Sequence, residues 1–241
     1  MKKIYYITAV FATLFLVGCG DGIDLPGVNV ETDLNKIPLP DNNVNLEQVE
    51  LKPSTEPMLH EGLHTEEDFQ RIRDKKAAGE EPWVSAYQLL VESQFSQKTA
   101  DTYPTEWIKR GISGDENYMN AARGATIVYQ QALRWKIEQD DEYAAKAVEN
   151  LNKWVQTCVG VTGNTNLSLA AGLYGYEFAI AGELLRDYGG WDRADFAAFQ
   201  NWLLKVFYPA NDDFLKRHHD TNALHYWANW CLCNIAVSYT H

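Results

Sequence analysis

Basic residues are scarce in this chain: 21 lysines and arginines face 33 aspartates and glutamates, giving a formal net charge of -12 over 241 residues. That balance excludes broad electrostatic binding to nucleic acid, which needs clustered cations to displace counterions. Any anionic ligand must instead find a locally positive cleft. Cysteine is sparse too, at four residues. Cys231 and Cys233 form a C-x-C pair that lacks both the second pair and the spacing of a structural zinc site. With Cys158 they make three thiols that cannot all pair with one another, so buried free thiols are the favoured reading, with a Cys158 disulfide left open. The apolar run at 4–17 is too short for an ordinary membrane-spanning helix. Strand-type alternation is nearly absent, and no fixed-period repeat marks a solenoid. Glu177 and Glu183, six residues apart on a predicted helix, face different directions, so the carboxylate pair of a glycoside hydrolase is not evident.

What is present begins with an export design. Lys2 and Lys3, the apolar run and then Leu16-Val17-Gly18-Cys19 resemble a bacterial lipoprotein signal. The resemblance implies removal of 1–18, a lipid on Cys19 and a position in the periplasm, at the outer membrane or on the cell surface, with membrane contact through the lipid alone. From 20 to 57 the chain is rich in Asp, Asn, Pro and Val, and Pro26, Pro38, Pro40, Pro53 and Pro57 break any helix. Residues 19–57 therefore read as a tether. Beyond it, 46% hydrophobic content with 12% aromatics is ample for a substantial core.

After His64 the pattern is helical and stays so. Thr65 stands three residues before Asp68, the capping-box spacing, and an amphipathic stripe follows to about Gly79. Pro82 suits the first turn of a second helix, and a looser segment runs through Pro104 and Gly111. Helices are then predicted at 117–137, 142–158, 167–188, 193–207, 212–218 and 223–236. Short connections between long helices make antiparallel neighbours. The class is all-α, a series of helical hairpins.

Chemistry-bearing residues crowd into HHDTNALHYWANWCLCN at 218–234. Amides and imidazoles at that density among large apolar side chains point to a polar pocket. Asn222 precedes the last predicted helix, where capping competes with ligand contact. His218 and His219 lack the nearby carboxylates of a strong metal set, so no metal is expected. Tyr174, Trp227 and Trp230 are candidate platforms for sugar rings, although helical hairpins bury many aromatics for packing alone. Tyr174 is singled out because Gly172 and Gly175 would let a substrate approach the backbone. Asn164 and Asn166 form a turn or bind hydroxyls. Arg110 and Arg123 are candidate cations for a cleft that takes a polyanion, or surface ion-pair partners.

Four ordered blocks carry a family resemblance: LHTEEDFQRIRDKKAAGEEPWVSAYQLL at 63–90, ALRWKIEQDDEYAAKAVENLNKW at 132–154, AAGLYGYEFAIAGELLRDY at 170–188 and HYWANWCLCN at 225–234. Together they are similar to the alginate-lyase superfamily of polysaccharide lyases. The resemblance implies a partial (α/α) toroid over 58–236 and β-elimination at a uronic acid of an anionic polysaccharide, alginate or glucuronan, without a cofactor. It implies Asn229 as the amide that binds the uronate carboxylate. His225, four residues earlier, would share its helix face. Members of the family run further, through hairpins that supply proton-transfer groups. VSYTH at 237–241 matches one translated frame of a sequencing-library adapter, so the natural sequence is expected to end near Ala236 and the chain to be a truncated copy. Two other readings compete: a non-catalytic glycan-binding lipoprotein and a helical-repeat interaction protein. Neither accounts for the ordered blocks.

Overall fold

Reciprocal capping opens the folded part. Thr65 Oγ1 accepts from the Asp68 amide at 3.1 Å while Asp68 Oδ2 accepts from the Thr65 amide at 3.0 Å, the expected capping box. The computed structural model describes residues 63–220, 226 and 229–239. The signal segment, Cys19 and the tether lie outside the described residues. Within them the helices are α1 (Glu66–Ala77), α2 (Trp83–Glu92), α3 (Tyr118–Glu138), α4 (Asp141–Thr157), α5 (Asn166–Leu185), α6 (Arg193–Val206), α7 (Tyr208–Arg217) and α8 (Asn229–Tyr239). Helix dominates, so the all-α class holds.

Two strands and the start of one helix depart here from the sequence reading. Strands β1 (Trp107–Arg110) and β2 (Gly160–Gly163) pair in parallel, Trp107 against Gly160 and Arg110 against Gly163. Four residues are too few to display a two-residue period, and that hid them in the segments read as loops. Helix α7 starts at Tyr208 rather than 212, because Pro209 is tolerated in a first helical turn.

Side-chain contacts show how the helices are arranged. Tyr118 meets Tyr174, Thr126 meets Glu177 and Trp135 meets Tyr188, so α3 and α5 run parallel. Helix α4 runs back along α3 after Gln139, whose φ of 57° closes the turn. Helix α8 packs on the other flank of α5, giving a front row of α3, α5 and α8 with α4 and α6 behind. Trp154 of α4, Phe178 of α5 and Trp202 of α6 meet ring to ring between the rows at 5.4 and 5.2 Å.

Buried amides tie the irregular segment before β1 to this core. Gln131 donates to the carbonyls of Gln97 and Ala100, and Asn150 donates to the Ala100 carbonyl and to Gln131 Oε1. Each satisfies backbone groups that an irregular segment would otherwise bury unpaired. Buried Arg134 bonds Glu138, Tyr143 Oη and Ser96 Oγ, which joins α3 to α4 and to the short 3-10 turn Gln94–Ser96.

Packing behind the front row is tight enough to test. A Cβ on Gly182 would lie 2.2 Å from the Phe199 ring, and that ring is wedged among Trp191, Phe196 and Trp202. Alanine gains about 1 kcal/mol of helix propensity over glycine, against an overpacking penalty of about 1–3 kcal/mol. Gly182→Ala is therefore expected to lower stability by about 1 kcal/mol; a denaturant midpoint above that of the parent would contradict it.

Candidate functional site

Arg110 is aimed by the strand pair. A Cβ on Gly163 would lie 1.7 Å from the Arg110 carbonyl oxygen, so β2 closes on β1 only because glycine stands there. The guanidinium then lies over the Tyr118 ring, 4.6 Å from its centroid, and Nη1 donates to Tyr174 Oη at 3.3 Å. The two tyrosine rings stack at 6.4 Å with planes 9° apart. Arg110 and Tyr174 were singled out separately by their chemistry; the structure brings them into contact. Tyr118, the first residue of α3, went unnoticed, since nothing local marks a helix-start tyrosine as a seat for a distant arginine. Among the described residues no carboxylate lies within ion-pair distance of Arg110, which leaves the cation resting on π faces and one phenol. Burial pushes the Tyr174 phenol up to about 12, with Arg110 acting in the opposite sense. Tyr174 therefore stays protonated at neutral pH and offers a hydrogen bond, not a base.

The glycine gaps beside Tyr174 serve another purpose than the one expected. A Cβ on Gly172 would meet Cys233 Sγ at 2.5 Å, and one on Gly175 would meet the Phe207 ring at 2.9 Å. Neighbouring helices fill both gaps, so these glycines admit α8 and Phe207 rather than a substrate.

Helix α8 carries Asn229 and Trp230. Asn229 is its first residue and is exposed. Cys233, one turn beyond on the same face, is buried close enough to Arg110 for that charge to act on it. Tyr226 sits in a turn at φ 66°, so the helix predicted over 223–236 is broken at that residue. Asn222, His225 and Trp227 lie outside the described residues. Trp230 packs its ring 4.8 Å from Tyr226 and 5.8 Å from Phe214, a packing position more than an open platform. Exposed Arg123 stands on α3. Asn164 Oδ1 accepts from the Asn166 amide at 2.9 Å, which makes the pair a turn. The thiols Cys158, Cys231 and Cys233 are free.

Between α7 and α8 the backbone is strained. His218, His219 and Asp220 have φ of 45°, 58° and 58° in succession. Left-handed backbone costs a non-glycine residue about 1–2 kcal/mol, and it persists where surrounding packing over-determines it. Here the Phe214 ring meets both imidazoles at a tilt, with centroids 4.9 and 5.2 Å away. His219 Nε2 lies 3.4 Å from Ser168 Oγ at the start of α5, and His218 Nε2 lies 3.4 Å from Cys231 Sγ. Burial lowers both histidine pKa values, and their mutual repulsion lowers that of His218 further. Both rings are neutral near pH 7. Asn234, wholly buried on α8, donates to the Trp230 carbonyl at 2.8 Å, and among the described residues its Oδ1 and the whole amide of buried Asn211 have no partner.

On α5, half-buried Glu177 accepts from Thr126 Oγ1 of α3 at 3.1 Å. Burial raises its pKa above the ordinary carboxylate range, partly opposed by the threonine. The folded state then holds the proton more tightly than the unfolded chain does. Stability is therefore lost as pH rises from the ordinary carboxylate range through the folded value. Glu177→Gln keeps the acceptor and removes the charge, so it is expected to be the more stable protein near pH 7 and to match the parent near about pH 4. Thermal melts at the two pH values check this, and equal stability at neutral pH would count against it.

Fold and side chains together define a class: a scaffold of helical hairpins in two rows, with one arginine, neutral imidazoles, phenols and amides gathered along the front row. The family model described as alginate lyase matches residues 72–240, more than half of the chain, and the chain belongs to that family. Comparison with curated proteins and with solved structures returned no match.

Proposed function

We propose that the protein is a polysaccharide lyase that cleaves a uronate polysaccharide, alginate foremost, by β-elimination, and that its helices form an arc of an (α/α) toroid. The observation that carries this reading is Arg110, a cation without a carboxylate partner among the described residues, held by Tyr118 and Tyr174 in a strongly acidic chain. A uronate carboxylate supplies the missing counter-charge. Neutralising it stabilises the negative charge that develops when the adjacent C–H bond breaks. That electron pair forms the carbon–carbon double bond as the glycosidic C–O bond breaks, and the leaving oxygen takes a proton. Asn229 and His225 are assigned to the carboxylate with Arg110, while a general base takes the C–H proton. Trp227 and Asn222 are assigned to sugar contacts. The lipid on Cys19 would hold the enzyme outside the cytoplasm.

The protein should release unsaturated uronate, seen as ultraviolet absorbance, from alginate or glucuronan. Binding of the polymer without any release would instead favour a glycan-binding lipoprotein. Loss of membrane retention in Cys19→Ala tests the anchor.

A further inference from the structure

Beside the Arg110 site, the front row carries a second set of side chains with the chemistry of carbohydrate contact. His64, just ahead of α1, lies with Nε2 2.6 Å from Tyr129 Oη, and the two rings stack at 5.9 Å with planes 22° apart. Phe69, almost wholly buried, backs the imidazole at 5.6 Å. Tyr129 is only half-buried, as are Tyr176 and Glu177 of the parallel helix α5, and both act electrostatically on the Tyr129 phenol. Exposed Leu173 stands one turn before Tyr176 and Glu177 on α5. Three separate elements thus converge on one half-open patch containing two phenols, an imidazole and a carboxyl group. None of these groups is a cation at neutral pH: burial lowers the His64 pKa, partly opposed by Asp68. The patch is equipped to exchange hydrogen bonds with hydroxyls and to stack a ring, not to grip a carboxylate.

Its position gives it a role. Tyr129 lies eleven residues beyond Tyr118 on α3, about 16 Å of helix rise at about 1.5 Å per residue. We infer that His64, Tyr129, Tyr176 and Glu177 form a distal subsite that takes a pyranose ring of the same polysaccharide through its hydroxyls while Arg110 holds a carboxylate further along the chain. The inference rests on the proposed lyase reading, since a single strand must pass both points.

The test compares the parent with Tyr129→Phe and His64→Asn on oligouronates of graded length. One hydrogen bond lost at the distal point should raise KM about fivefold for long oligomers, with a loss that shrinks as the oligomer shortens and is carried in KM rather than kcat. An equal loss at every length would overturn the inference, because a merely structural change affects all substrates alike. Should Tyr129→Phe melt without cooperativity, His64→Asn, placed outside the helices, carries the test. If the parent releases no unsaturated product, the lyase reading fails on its own, and calorimetric titration with the same oligomers decides the subsite. Weaker binding of long oligomers by the variant supports it, and equal binding sinks it.

Discussion

Replacing Arg110 with alanine is expected to lower kcat/KM on uronate polysaccharide about a hundredfold, the loss of about 2–3 kcal/mol that follows from removing a charged hydrogen-bond donor. The guanidinium sits on the Tyr118 face and donates to Tyr174, so its direction is fixed before substrate arrives. Preorganised charge stabilises a developing anion more than a mobile charge does, because nothing reorients during reaction. Arg110→Lys keeps the charge but loses the planar fork and the stacking, and should recover only part of the activity. Tyr174→Phe removes the phenol that orients Nη1 and should cost less than removal of the cation itself. Steady-state kinetics on one uronate polymer order the three variants. Wild-type activity in Arg110→Ala would remove the residue from the site.

The largest expected effect on stability belongs to Trp154→Ala. Trp154 is fully buried on α4, meets Phe178 across the two rows, and its indole N–H donates to Thr102 Oγ1 at 2.5 Å. Truncation removes the ring burial, opens a cavity between rings that cannot all collapse into it, and strands the Thr102 hydroxyl. Large aromatic-to-alanine changes in cores cost about 3–5 kcal/mol, which lowers the melting temperature on the order of 10 °C for a domain of this size. Trp154→Phe separates the two contributions: it keeps most of the apolar contact and loses the hydrogen bond, for a penalty of about 1–2 kcal/mol. A Trp154→Ala protein that melts with the parent would mean that the rows do not pack through this ring.

These two residues differ in how far the sequence announces them. Trp154 closes the apolar stripe of a strongly periodic helix, so its burial is legible from spacing alone. Arg110 is legible only as one of two stray cations. What distinguishes it from Arg123 is a pairing of two four-residue strands and a glycine at 163, none of which carries a periodic signal. The same contrast separates Thr65 and Asn164 from His64. The capping box and the asparagine turn close over two or three residues and can be read directly. The contact between His64 and Tyr129 spans 65 positions, and nothing near either residue encodes the other.

The last segment shows the limit from the other side. Its amides, imidazoles and tryptophans are plain in the sequence, and the family follows from ordered blocks that survive without any coordinates. The continuous helix drawn through it fails at Tyr226, where φ is 66°, because helix periodicity reports apolar spacing and not the conformation of one residue held among Phe214, His219 and Trp230.

By itself, then, the sequence determined the helical class, the hairpin order, the local caps and turns and the chemistry gathered toward the end of the chain. These depend on interactions within three or four residues and on overall composition. Only the tertiary structure decided that Arg110 lies on Tyr118 beside Tyr174, that Gly172 admits Cys233 of α8, and that His64 reaches Tyr129. Those contacts form when the front-row helices dock in one register, and that register is set by packing across the whole core rather than by any stretch of chain.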